Sequence, residues 1–158
     1  MSLPSDSPAS SAPEASTRLR VLFLCTHNSA RSQMAEGILR SLGGDRVEAC
    51  SAGTFASRVH PLAIQVMAER GIDLKRQRSK SLDEYRELRF DYVITVCDDA
   101  NDACPVFPGG GQRLHWSLPD PSVVEGEEGE QERAFERVAV DLTTRIQELL
   151  ASLDAPKS

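Results

Sequence analysis

From residue 19 onward, short apolar runs that suit buried strands alternate with segments that carry apolar residues at helical spacing. The first run, Leu19–Cys25, would be apolar on both faces of a strand, as in a parallel sheet that helices cover. Residues 31–42 then place apolar side chains on one face of a helix, and two glycines follow. This alternation predicts a parallel α/β sheet with right-handed crossovers.

The later elements continue the same alternation. Further strands are predicted over residues 46–51, 91–97 and 113–117. Helices are predicted over residues 61–70 and 130–153, with a short helix over residues 81–88. The fold class is therefore α/β, a three-layer sandwich around a four-stranded parallel sheet.

A chain of 158 residues suggests one domain, which we place at residues 19–154. Residues 1–18 are rich in Ser, Pro and Ala and lack the apolar middle of a signal peptide, so we expect a disordered tail there and another at 155–158. The net charge of −6 argues against a nucleic-acid partner, and no apolar run approaches a membrane span. We expect a cytoplasmic monomer.

The segment after the first strand has the features of an oxyanion-binding loop. It enters the first helix at the edge of the sheet where such folds bind ligands, and a helix start offers unpaired N–H groups. Arg31 lies six positions after Cys25, and its guanidinium can hold two oxygens of a tetrahedral anion. The expected anion-binding residues are Thr26, His27, Asn28, Ser29, Ala30, Arg31 and Ser32.

Cys25, at the base of this loop, is the candidate nucleophile. Arg31, the loop N–H groups and the Ser32 hydroxyl are placed to stabilise a thiolate, which is the nucleophilic form of cysteine. A cysteine at a strand end is more often a small buried residue, but its combination with Arg31 and a helix start favours catalysis. We expect Asn28 to brace the loop, His27 to face solvent, and Cys50 to lie in the core.

The run VLFLCTHNSARSQMAEG resembles the low-molecular-weight protein tyrosine phosphatases in its C-x5-R-S loop. It is more similar to the thioredoxin-coupled arsenate reductases, and the similarity continues through SAGT at 51–54, VCDDANDACP at 96–105 and HWSLPDP at 115–121. It covers residues 19 to 152. The resemblance implies a phosphatase-like fold and reduction of arsenate to arsenite for arsenic detoxification. It also implies no bound cofactor and thioredoxin as external electron donor.

The resemblance further implies a relay of three cysteines. Cys25 would attack arsenate, Cys97 would attack Cys25 and release arsenite, and Cys104 would then attack Cys97. Thioredoxin would reduce the final Cys97–Cys104 disulfide. Hydrolysis of a phosphate ester needs no second thiol, whereas reduction of arsenate requires two electrons, which a thiol pair supplies.

The spacing of Cys97 and Cys104 has a conformational consequence. Seven helical steps span about 10 Å, whereas a disulfide needs Cα atoms within about 7 Å. The segment would therefore bend or unwind when the pair oxidises. Two alternatives stay open, namely unrelated thiols and a zinc site, although zinc pairs are usually separated by two to four residues.

Asp120 is the candidate general acid. It follows the last predicted strand, and in the resembling families an aspartate at this point protonates the leaving oxygen. Asp-Pro is also a plain turn signal, so composition alone would favour a turn. The surrounding HWSLPDP match favours the acid.

Two rival functions are a phosphatase of the same fold, which could also be a weak side activity, and a non-catalytic module that binds anions or senses redox state. Phosphate and sulfate would compete with arsenate. Glutaredoxin or mycothiol is an alternative reductant. The combination of nucleophile, arginine and acid argues against the non-catalytic module.

Some arsenate reductases of this family bind potassium beside the loop, with ligands that match Asn28, Glu36 and Ser51. Lys80 stands here in place of the remaining acidic ligand. Because a fixed ammonium group would repel a cation, we expect no metal ion and little effect of potassium.

Overall fold

A computed structural model describes residues 18–98, 107, 111–127 and 129–154. Its strands are β1 (Leu19–Cys25), β2 (Val47–Gly53), β3 (Tyr92–Thr95) and β4 (Gln112–His115). Its α-helices are α1 (Arg31–Gly43), α2 (Pro61–Glu69) and α3 (Glu130–Asp154). Short 3-10 helices cover Gly44–Arg46, Leu82–Tyr85 and Pro121–Val123. Residues 1–17 and 155–158, predicted as tails, lie outside the described residues.

The four strands form one parallel sheet, as predicted, and the structure gives their order as β2-β1-β3-β4. β1 is therefore an interior strand, paired along its whole length with β2 and over four residues with β3. The register aligns Cys25 with Gly53 and Leu24 with Thr95. The carboxyl ends of the strands thus meet at one edge, where parallel α/β sheets bind ligands.

Alternate side chains of β1 enter two separate cores. Val21 and Phe23 pack with the three α-helices on one face. Leu22 and Leu24 pack on the other face with Phe107 and with the 3-10 helix Leu82–Tyr85. The sheet is the middle of three layers, which confirms the predicted fold class.

The buried stripe of α3 also agrees with the sequence. Its predicted apolar side chains are buried apart from the last, which is partly buried: Phe135, Val138, Leu142, Ile146, Leu149 and Leu153. None of the helices in the described part of the chain is long and apolar enough to cross a membrane.

Several predicted boundaries differ from the structure. β4 covers Gln112–His115 rather than residues 113–117, and other ends differ by a single residue. Three differences have a clear structural cause. β2 runs on to Gly53, because that glycine pairs with the end of β1. β3 ends at Thr95 rather than residue 97, where its pairing with both neighbours stops. The predicted short helix over 81–88 is a single 3-10 turn over Leu82–Tyr85, which the Ser81 hydroxyl caps through the Asp83 N–H.

Candidate active site

The anion loop connects the last residue of β1, Cys25, to the first residue of α1, Arg31. Neighbouring segments hold its backbone from outside. The Thr26 carbonyl accepts the Phe55 N–H at 3.0 Å, and the Ser29 carbonyl accepts the His60 N–H at 2.9 Å. In both hydrogen bonds the loop supplies the carbonyl acceptor, so these two bonds use none of the loop's own N–H groups.

Asn28 braces the loop from within, as expected. It has a φ of 52°, a left-handed conformation that asparagine adopts more readily than most residues. Its Oδ1 accepts the Lys80 N–H at 2.8 Å and Gln33 Nε2 at 2.8 Å, and its Nδ2 donates to Ser32 Oγ at 2.8 Å. One buried amide therefore ties the turn to α1 and to the segment around Lys80.

The Cys25 sulfur lies 2.8 Å from Ser32 Oγ, and the residue as a whole is only 3% exposed. Ser32 Oγ already accepts the Asn28 amide, so its own hydrogen is free to point at the sulfur. A hydroxyl in that orientation stabilises negative charge on sulfur. The structure therefore places Ser32 where a thiolate needs a donor.

Arg31 and Asp120 come together although 89 positions separate them in the sequence. Arg31 is buried and donates from Nη1 to the Leu118 carbonyl at 2.9 Å, while its Nη2 lies 3.6 Å from Asp120 Oδ2. Asp120 Oδ1 accepts the N–H and the hydroxyl of Ser122, which leaves Oδ2 directed at the guanidinium. The side chain of Asp120 is partly exposed to solvent.

Gly53 is a contact that the sequence reasoning did not single out. A Cβ at this position would lie 2.7 Å from the Thr26 carbonyl oxygen, 2.8 Å from the Asn28 nitrogen and 2.9 Å from the Cys25 carbonyl oxygen. The loop backbone therefore rests directly on Gly53. The SAGT motif contained the signal, since a glycine at a strand end often marks a close backbone approach.

Two glutamines extend the brace and were also not predicted. Gln33 Nε2 donates to the Asn28 carbonyl and to the Arg78 carbonyl, at 3.1 and 2.9 Å. Gln77 Nε2 in turn donates to Gln33 Oε1 at 2.7 Å. These bonds link the loop to residues more than 40 positions later.

His60 supports the same loop from the start of α2. Its backbone N–H donates to the Ser29 carbonyl. Its Nδ1 accepts the Leu62 N–H at 3.1 Å, and its ring packs on Phe135 with 4.7 Å between the ring centroids. Burial lowers the pKa of His60 below 6.5, although nearby Asp120 opposes the shift. His60 is therefore a neutral residue near neutral pH, and its contacts are structural.

The residues expected to match a potassium site do not fit a bound cation. Glu36 Oε1 accepts the Ser51 hydroxyl at 2.6 Å and lies 3.7 Å from Lys80 Nζ, while Glu36 Oε2 pairs with Arg40. Asn28 Oδ1 is committed to two N–H donors. The ammonium group of Lys80 thus supplies the positive charge that an ion would bring.

Cys97 lies next to β1, the strand that ends in Cys25. It follows β3 by two residues, is fully buried, and places its sulfur 3.9 Å from the carbonyl oxygen of Leu24, the residue before Cys25. Cys97 is disulfide-bonded, and neither Cys25 nor Cys50 is its partner because both are free. Cys104 and most of the segment predicted to bend lie outside the described residues.

Cys50 is buried, as expected for a core residue. Its burial, reinforced by nearby Glu48 and Glu36, raises the pKa of its thiol to about 11. His27 is exposed at the mouth of the loop and stacks on Phe55, with 6.2 Å between ring centroids. The hydrogen-bond partner of the Cys25 sulfur is the Ser32 hydroxyl and neither Cys50 nor His27.

Comparisons with known proteins identify the family of this chain. The profile of the low molecular weight phosphotyrosine protein phosphatase family matches residues 20–158. An arsenate reductase of Halalkalibacterium halodurans is 41% identical over 126 residues, which cover 80% of this chain and 91% of that protein.

Two solved structures are similar over most of this chain. A structure described as an arsenate reductase in the phosphate binding state has a TM-score of 0.73 at 34% identity, covering 85% of this chain and 98% of that one. A thioredoxin-dependent arsenate reductase of Corynebacterium glutamicum has a TM-score of 0.65 at 37% identity, covering 89% and 64%. The chain therefore belongs to the low molecular weight phosphotyrosine protein phosphatase family, and within it is similar to the arsenate reductases.

Proposed function

We propose that this protein reduces arsenate to arsenite by nucleophilic attack of Cys25, followed by a relay through Cys97 and Cys104 that thioredoxin regenerates. The observation that carries the proposal is the position of Cys97 beside the strand that ends in Cys25. Hydrolysis has no use for a thiol at that place, whereas reduction requires one.

The first step uses the constellation around the loop. Arg31 and the loop N–H groups hold the arsenate oxygens, and Ser32 stabilises the Cys25 thiolate through the 2.8 Å contact. The sulfur forms a bond to arsenic as an oxygen leaves. Asp120 gives that oxygen a proton, so that water rather than hydroxide departs.

The second step transfers two electrons. The Cys97 thiolate attacks the Cys25 sulfur, the sulfur–arsenic bond breaks, and its electron pair stays on arsenic, which becomes As(III) and leaves as arsenite. Cys104 then attacks Cys97, and Cys25 departs as a thiolate ready for another cycle. The dithiol of thioredoxin reduces the remaining disulfide, so that it supplies both electrons in each turnover.

Cys97 is in a disulfide while Cys25 is a free thiol. This state supports the proposed order of steps, because the relay returns Cys25 to the free thiol before thioredoxin acts. Thioredoxin is the proposed donor because the relative from Corynebacterium glutamicum is described as thioredoxin-dependent. Glutaredoxin and mycothiol are the alternative donors. We propose that the protein works in the cytoplasm as a monomer, without a bound cofactor.

A phosphatase is the second candidate function. The same Cys25, Arg31 and Asp120 would form and protonate a phosphocysteine intermediate, which water could then hydrolyse. The profile match to the phosphatase family favours this activity at least as a side reaction. Phosphate and sulfate, with the same tetrahedral shape, should compete with arsenate for the loop.

The test is arsenate-dependent consumption of NADPH in the presence of thioredoxin and thioredoxin reductase. Cys97→Ser and Cys104→Ser should abolish turnover but keep hydrolysis of an aryl phosphate, which needs only Cys25. Cys50→Ala is the matched control, since this buried thiol lies outside the relay, and it should retain turnover. The proposal is wrong if Cys97→Ser and Cys104→Ser both reduce arsenate at the normal rate. Replacing thioredoxin by glutaredoxin or mycothiol identifies the donor.

A further inference from the structure

Lys80 is a buried lysine close to the anion loop. Its side chain is 8% exposed and that of its partner Glu36 is 7% exposed, and Nζ lies 3.7 Å from Glu36 Oε1. Nζ also donates to the Arg78 carbonyl at 2.6 Å. A lysine is rarely buried unless it is paired, because removing an ammonium group from water is costly. The free-energy cost of burying Lys80 must therefore be offset by a favourable contribution from its contacts.

Hydrogen bonds connect Lys80 to the nucleophile in three steps. The Lys80 N–H donates to Asn28 Oδ1, Asn28 Nδ2 donates to Ser32 Oγ, and Ser32 Oγ contacts the Cys25 sulfur. Each of these contacts measures 2.8 Å. The position of residue 80 therefore controls the orientation of the amide on which the loop turns.

The Lys80 carbonyl makes a further link, since it accepts the Gly53 N–H at 2.9 Å. Gly53 is the residue on which the loop backbone rests. Residue 80 therefore contacts the loop through its N–H and contacts Gly53, which lies against the loop, through its carbonyl. Its ammonium group pairs the same segment with Glu36 of α1.

We infer that Lys80 is a positioning residue whose ammonium group acts as a built-in cation for the anion loop, so that the enzyme needs no monovalent metal ion. Glu36 Oε1 requires a positive neighbour because it is buried, and Arg40 pairs with the other oxygen, Oε2. Tethering that charge to the chain makes loop geometry independent of the ionic composition of the medium.

Two substitutions at this position separate charge from volume. Lys80→Ala leaves space beside Glu36 that a potassium ion could enter, whereas Lys80→Met removes the charge but fills the space. The inference rests on the anion-binding role of the loop in the proposed function. The readout is therefore protection of Cys25 by inorganic phosphate against iodoacetamide, quantified by mass spectrometry of the Cys25 peptide, which requires no arsenate chemistry.

At constant ionic strength, phosphate affinity of the native enzyme should be the same in potassium chloride and in tetramethylammonium chloride. Lys80→Ala should bind phosphate about tenfold more weakly in tetramethylammonium, since one charge-assisted contact is lost, and should recover most of that loss in potassium. Lys80→Met should lose affinity without recovery in either salt. Lys75→Ala, which removes an exposed lysine of the same segment, should behave as the native enzyme.

Melting temperatures provide a second readout, and potassium should stabilise only Lys80→Ala. A potassium requirement in the native enzyme would overturn the inference, as would native phosphate affinity in Lys80→Ala. Equal recovery of the alanine and methionine variants in potassium would also overturn it, because methionine leaves no room for an ion. Should Lys80→Ala fail to fold, native phosphate affinity in a folded Lys80→Met would refute the inference. If the native enzyme does not turn over arsenate, the proposed function is wrong, but the comparison of phosphate affinities among the Lys80 variants still tests this inference.

Discussion

Adding a single methyl group at Gly53 should damage catalysis more than stability. In Gly53→Ala the new Cβ would meet three backbone atoms of the loop at 2.7–2.9 Å, and ordinary van der Waals contact begins at 3.4 Å. Those atoms must retreat by about 0.5–0.7 Å. Backbone atoms cannot rotate away as a flexible side chain can, so the whole loop has to move.

The expected cost in stability is that of overpacking, about 1–3 kcal/mol, or about 2–4 °C in melting temperature for each kcal/mol. The expected cost in arsenate kcat/KM is about tenfold to hundredfold, because displacement of reacting groups by a fraction of an ångström disrupts their alignment. Both quantities can be measured on one preparation, by the thioredoxin-coupled assay and by thermal unfolding.

Gly71→Ala is the matched control. Gly71 has a φ of 83°, and a Cβ added there would meet no atom within 4 Å, so alanine is strained only by its backbone conformation. It should lose about 1–2 kcal/mol of stability and keep native kcat/KM. Native kcat/KM in Gly53→Ala, or an equal loss in both variants, would refute the argument that the loop rests on Gly53.

Two further predictions concern the proton-carrying groups near the loop. Asp120→Asn should lower kcat for arsenate by about 10²–10⁴-fold, while the rate of Cys25 alkylation stays near that of the native enzyme. The variant loses the general acid but keeps the nucleophile. An unchanged kcat would exclude Asp120 as the general acid. Because folding lowers the pKa of His60 below 6.5, the stability it contributes should be present above pH 6.5 and fall as pH drops toward its folded pKa. His60→Asn, whose amide oxygen can still accept the Leu62 N–H, should flatten that decline in urea unfolding, and an unaltered pH profile would contradict the assignment.

Periodicity in the sequence was enough to predict the fold. The bounds of β1 agree completely, since an apolar run between charged residues and a polar loop leaves little freedom. The end of β2 was placed too early because Gly53 looks like punctuation in the sequence. Its pairing with Cys25 and its close approach to the loop backbone show why a residue without a side chain is required there.

The site was predicted in part. A local motif places Cys25 beside Ser32, and the structure brings Arg31 and Asp120 together as the family resemblance implied, although their catalytic roles stay predictions. The network through Gln33 and Gln77 was missed because it depends on the path of residues 72–81, which have neither strand nor helix periodicity. No local pattern encodes a contact between two glutamines 44 positions apart.

The loop begins on an interior strand, whereas Cys97 follows β3 and Asp120 follows β4. In the proposed mechanism, the groups that bind the anion and those that act on the cysteine–arsenic adduct are thus encoded in separate stretches of chain. Evolution could exchange the segment after β3 without disturbing the nucleophile. A protein engineer could do the same, and grafting that segment onto a related phosphatase would ask whether hydrolysis and reduction differ by one loop.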